Sequence, residues 1–167
     1  QSSLSTNDTV NLSDTMDNSQ AGNESVNLIL ASYLNLKDAL AKDDSEMAAS
    51  SAKEVETALT SFDKNSLTAE QAKVFDDIQS DAKEHAEHIS SNGGNIKHQR
   101  EHFESLSTDM YDLIKSTGAT GKTLYVDHCP MYNNNKGANW ISQTKDISNP
   151  YLGKAMPDCG VVKEELK

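Results

Sequence analysis

The chain has 167 residues, with apolar side chains at 35%, aromatic at 5%, and 26 acidic against 15 basic residues for a net charge of −11. That length gives one domain, and the acidic balance excludes a broad electropositive surface for nucleic-acid phosphates. No apolar run reaches the roughly 18 residues that would read as a membrane span, and no basic-then-apolar export signal opens the sequence.

Residues 1–22 are Ser, Thr, Asn and Asp with isolated apolar residues and no sustained period, the pattern of a solvated tether. Such tethers join export signals or lipid anchors to envelope domains, as well as forming ordinary ragged ends. The two readings stand even here: a ragged end, or a lipid anchor through a missing N-terminal segment that would place the domain in the periplasm or outer envelope.

Residues 23–117 read as four helices. Val26, Ile29, Leu30, Tyr33, Leu34 and Leu40 recur at three and four for the first. Asp43-Asp44-Ser45 starts a second, Ala-rich helix through Met47, Ala48, Ala52, Val55, Ala58, Leu59 and Phe62. Thr68 and Gln71 make a capping box for the third, which runs past Phe75, Ile78, Ala82, Ala86 and Ile89 to Asn92-Gly93-Gly94. The fourth carries Ile96, Gln99, Phe103, Leu106, Met110, Leu113 and Ile114 and ends at Gly118. Short connections predict an all-α, antiparallel, up-down-up-down four-helix bundle.

Four of the five histidines fall on the last two helices. In a hairpin centred on Gly93-Gly94, residues whose numbers sum to about 187 share a level, which matches His85 with His102 and nearly matches His88 with His98. His85 and His102 lie closest to the apolar faces and are the better buried pair; facing imidazoles ligate zinc or copper, although hydrogen-bonded seam histidines are commoner. His98-Gln99-Arg100-Glu101-His102 also fits the inverted zinc-protease string. That chemistry needs a third ligand and a substrate cleft, and the sequence of a slender acidic bundle offers neither.

Residues 118–167 differ in kind. They contain all three prolines, both cysteines and five of the eight glycines, with five acids and six bases against 21 and nine before Gly118. An irregular C-terminal extension packed on the bundle is expected. His128-Cys129-Pro130-Met131 and Met156-Pro157-Asp158-Cys159 each pair a thioether with a thiol, a donor set suited to Cu(I) or Ag(I), with zinc gaining from the cysteines and histidine alone. A Cys129–Cys159 disulfide closing the extension is the competing reading, and spacing alone slightly favours it.

The run Tyr125, His128-Cys129-Pro130-Met131, Gly137-x-x-Trp140-Ile141-Ser142, Ile147-x-Asn149-Pro150-Tyr151-x-Gly153 and Met156-x-x-Cys159-Gly160, with Gln99-Arg100-x-His102-Phe103 upstream, resembles a bacterial envelope family of uncharacterised domains. The resemblance covers residues 25 to 165. Members of that family occur alone or fused to periplasmic adaptor subunits of copper and silver efflux pumps. The resemblance implies metal contact by Cys129, Met131, Met156 and Cys159, with His102 as a further ligand; His128 and His85 complete the candidate set. Trp140 is then a packing residue or a neighbour of a soft cation. Tyr132 and Asn133-Asn134-Asn135 depart from the family pattern and imply a longer, looser loop. The expected function is non-catalytic: buffering a soft metal, foremost Cu(I), or handing it to an efflux partner. The alternatives are a disulfide-stapled interaction bundle and, third, a zinc hydrolase built on His98, Glu101 and His102.

Overall fold

The computed structural model describes residues 12–167, with side chains described from residue 23 onward. Four helices, α1 (Leu12–Ala41), α2 (Ser45–Thr60), α3 (Ala69–Ser90) and α4 (Ile96–Thr117), pack in sequence, each against the next. Three strands follow, β1 (Leu124–Cys129), β2 (Ala138–Ser142) and β3 (Val161–Leu166).

The helices follow the apolar stripes. In α1, Val26, Ile29, Leu30, Tyr33, Leu36 and Leu40 are buried at three- and four-residue steps. The helix starts at Leu12, so it begins inside the stretch read as a tether; residues 1–11 of that stretch lie outside the described residues. Once the Val26–Leu40 stripe anchors a helix, extending it adds one hydrogen bond per residue fixed, which weak propensity does not prevent.

Asp43, at φ 60°, ends the first connection, and Asp44 caps α2 by accepting from the Met47 amide at 3.0 Å. Helix α2 buries Ala48, Ala52, Val55 and Leu59, whereas Met47 is exposed. The Thr68–Gln71 capping box is formed, and Gly118 closes α4 at φ 81°. Gln99 is fully buried and knits three helices: its amide nitrogen donates to the carbonyls of Ser45 (3.0 Å) and Ile89 (3.1 Å), and its oxygen accepts from Ser45 Oγ (2.9 Å).

The expected irregular extension is instead a three-stranded antiparallel sheet of order β2-β1-β3, so the chain is mostly helical rather than all-α. Leu124, Val126, Cys129, Trp140, Ile141 and Leu166 are buried in the same core as the helices, which is what draws these short segments into strands. Tyr33 of α1 ties the layers together. Its hydroxyl bonds Ser107 Oγ of α4 at 2.7 Å and accepts from the Ile141 amide of β2 at 3.0 Å, while its ring stacks on Phe103.

The segment between β1 and β2 is a tight turn, against the expectation of a loose one. Asn133, Asn134 and Asn135 are all left-handed, which Asn tolerates better than most residues. Backbone bonds from Asn135 to Met131, Lys136 to Asn133 and Gly137 to Tyr132 close it. Gly137, at φ 81°, has no room for a Cβ, which would lie 2.5 Å from His128 Cε1.

Candidate metal centre

The two long helices α3 and α4 bring four imidazoles together at the predicted levels. His85 and His102 have ring centroids 5.2 Å apart, and His88 and His98 6.1 Å. His102 is the hub. Its Nδ1 lies 2.9 Å from His85 Nδ1, its Nε2 lies 3.2 Å from His98 Nε2, and its ring stacks on His88 with centroids 4.4 Å apart.

One ligand atom from each of His88, His98 and His102 lies within 4.8 Å of the other two. Burial holds the His102 imidazole below its ordinary pKa, and the neighbouring imidazoles of His88, His98 and His85 add to the effect. A neutral imidazole is the form that binds a metal, so the crowding that disfavours the proton favours a cation in its place. Glu101, the central acid of the zinc-protease string, is exposed and 3.4 Å from His98 Nδ1.

A second group joins the first through His85. Its Nε2 is 3.3 Å from Asp81 Oδ1, and ligand atoms of Asp81, His85 and Asp109 also converge within 4.8 Å. Asp109 is 8% exposed and its Oδ2 has no hydrogen-bond partner. Burial, the touching Asp81 carboxyl and the charge of Asp112 push Asp109 up to about 8, while its hydrogen bond holds Asp81 below its ordinary value.

The sulfur groups lie elsewhere. Cys129 is buried in β1, Cys159 is partly buried ahead of β3, and both are free thiols. They are neighbours: burial raises the Cys159 thiol above its ordinary value, and contact with the Cys129 thiol adds to it. Asn149, fully buried, shapes the loop that carries Cys159. Its Nδ2 donates to the Cys159 carbonyl at 2.6 Å, and its Oδ1 accepts from the amides of Tyr151 (2.8 Å) and Leu152 (2.9 Å).

Met131 and Met156 are 46% and 42% exposed. His128 hydrogen-bonds Asn139 at 2.6 Å, its partner across β1 and β2, whereas adjacent Cys129 pairs with Ala138; alternation along the strand puts the two side chains on opposite faces. Trp140 is a core residue, 1% exposed and edge-on to Tyr151.

The expectation places His102 with the cysteines; in the structure its two ring nitrogens meet His85 and His98. Among the described residues, no converging group of three His, Cys, Asp or Glu ligands contains either cysteine. Arg100, Ser107 and Tyr111 meet the Tyr33 and C-terminal elements, through bonds to the Pro150 carbonyl, Tyr33 and Glu164. At 100° per residue these positions are about 140° or more around α4 from His102. The contacts of α4 with Pro150, Tyr33 and Glu164 thus lie on a different side of the helix from His102.

His88 and His98 sit in the imidazole cluster although their angles put them outside the favoured pair, because greater exposure does not separate side chains that share a level. Neither Asp81 nor Asp109 belongs to a motif read from the sequence. Their signals were present: Asp81 is one turn before His85, and Asp109 interrupts the apolar seam between Leu106 and Met110.

No described helix is long and apolar enough to cross a membrane. No curated protein and no solved structure matches the chain. One family model does, over residues 29–122, a range that takes in both histidine and aspartate groups and stops before β1 and the cysteines. Since that match covers more than half of its length, the chain belongs to the family described as Protein of unknown function (DUF3347).

Proposed function

We propose that this protein is a metal-binding module of the bacterial envelope that buffers Cu(I) and hands it to an efflux or homeostasis partner, with no catalytic step. The observation that carries the reading is the convergence of His88, His98 and His102 within 4.8 Å on the rigid α3–α4 hairpin. Imidazoles accept copper and zinc alike. The adjacent thiols of Cys129 and Cys159, flanked in sequence by the exposed thioethers of Met131 and Met156, supply a softer second station that prefers Cu(I) or Ag(I). Exposure of the thioethers suits exchange with a partner, since an ion can pass from one sulfur to the next without unfolding the scaffold. The envelope location and the efflux adaptor as partner rest on the resemblance carried by the C-terminal sulfur motifs.

The thiol neighbours also favour a second reading, in which Cys129 and Cys159 form a disulfide in an oxidising compartment and the bundle serves as an interaction scaffold. Titrating the reduced chain with Cu(I) against a competing chelator separates the two. The metal reading predicts stoichiometric binding that His98→Ala with His102→Ala, or Cys129→Ser with Cys159→Ser, weakens by about tenfold or more, roughly 1.4 kcal/mol. A reduced chain indifferent to Cu(I) leaves only the scaffold.

A further inference from the structure

Asp81 and His85 stand one turn apart on α3, and Asp109 faces them from α4. His85 presents Nε2 to Asp81 at 3.3 Å, and the three ligand atoms converge within 4.8 Å. Asp109 supplies an independent sign that something belongs there. It is 8% exposed, yet its Oδ2 has no hydrogen-bond partner. A buried acceptor left open costs free energy that a coordinated cation recovers. We infer that Asp81, His85 and Asp109 form a second metal site, for a divalent first-row cation such as Mn²⁺ or Zn²⁺, whose occupancy opposes that of the His88–His98–His102 site through the one hydrogen shared by His85 and His102.

The donor set decides the ion. Two carboxylates and one imidazole suit Mn²⁺, Fe²⁺ or Zn²⁺, with water completing the sphere; the imidazole disfavours Mg²⁺ and Ca²⁺, and carboxylates offer little to Cu(I). This site is therefore chemically distinct from the imidazole trio.

The opposition follows from hydrogen positions. A neutral imidazole carries one hydrogen, and the nitrogen that binds metal must lack it. With metal on His85 Nε2, the hydrogen sits on His85 Nδ1 and points at His102 Nδ1, 2.9 Å away. His102 then accepts at Nδ1 and carries its own hydrogen on Nε2, the atom that faces His98 at 3.2 Å. That tautomer blocks His102 as a trio ligand. Metal on His102 Nε2 reverses the arrangement and turns the His85 Nε2 hydrogen toward Asp81. The two tautomers exclude each other unless one ring moves.

The site itself stands apart from the copper reading; only the coupling rests on it. The test is Mn²⁺ titration of the chelator-stripped full chain, followed by loss of the free-ion electron paramagnetic resonance signal. One Mn²⁺ per chain is expected. Asp109→Asn and the exposed Asp81→Asn each weaken it about tenfold or more, while Glu87→Gln on the outer face of α3 leaves it unchanged. Mn²⁺ affinity indifferent to both aspartate variants, or no Mn²⁺ bound, overturns the site. In a Cys129→Ser, Cys159→Ser chain, one equivalent of Cu(I) is expected to weaken Mn²⁺ by a further tenfold or so. Bound Cu(I) that leaves the Mn²⁺ affinity unchanged overturns the coupling. Failure of that chain to hold Cu(I) overturns the imidazole copper site and the coupling together, and the Mn²⁺ result still decides the second site.

Discussion

His102 touches two different partners with its two ring nitrogens: Nδ1 lies 2.9 Å from His85 Nδ1 and Nε2 lies 3.2 Å from His98 Nε2. One residue thus links the imidazole trio to the aspartate pair behind it. Replacing it should break both relationships. In a Cys129→Ser, Cys159→Ser chain, His102→Gln is expected to weaken Cu(I) binding by about tenfold or more, measured against a competing chelator. An unchanged affinity would place the copper on other ligands.

Stability should fall as pH rises from 6.5 to 8. Burial pushes Asp109 up to about 8 and Asp127 up to about 7, the latter with both carboxylate oxygens unpartnered and the Lys37 charge opposing the shift. In the unfolded chain both groups ionise near 4. Across this window the native state therefore holds protons that the unfolded state has released, and linkage makes the unfolding free energy decrease with pH, by at most about 1.4 kcal/mol per pH unit for each group. Below about pH 6.5 the lowered His102 pKa works the other way, since an unfolded histidine takes a proton that the native one refuses. Thermal melts at pH 6.5 and 8 check the direction, and Asp109→Asn with Asp127→Asn should flatten the difference.

The sheet and helices should unfold together. Tyr33→Phe removes the bond to Ser107 Oγ and leaves the buried Ile141 amide without its side-chain acceptor. A loss of about 1–3 kcal/mol is expected in urea unfolding, with helical circular dichroism and Trp140 fluorescence moving in one transition. Two separated transitions would make the C-terminal region a unit of its own.

Much of this architecture is legible in the chain. Apolar residues at helical steps, the Thr68–Gln71 box and Gly118 mark the helices because those signals are local. The level rule that pairs His85 with His102 needs only a hairpin and the helical rise. The sheet is hidden for the opposite reason. β1 and β3 are separated by more than thirty residues, and β1 is buried or half-buried at every position, so no simple alternation marks it. Asp109 escapes for a related reason: a polar residue in an apolar seam has meaning only when the facing residues, Asp81 and His85, are known.

Asn149→Ala should disturb the thiols without touching a ligand. The amide side chain makes three hydrogen bonds from a fully buried position, one of them to the Cys159 carbonyl. Losing them leaves buried backbone groups unpaired, a cost of about 2 kcal/mol or more. Cys159 should then react faster with a thiol reagent under native conditions. An unchanged rate would mean that the loop is held by other contacts.

Copper X-ray absorption on a Cys129→Ser, Cys159→Ser chain carrying one equivalent of Cu(I) tests the central claim most directly. The His88–His98–His102 site predicts a nearest shell of nitrogen with the multiple-scattering pattern of imidazole rings, lost in His98→Ala with His102→Ala. A shell of sulfur alone, or copper that does not stay with the protein through gel filtration, would contradict it.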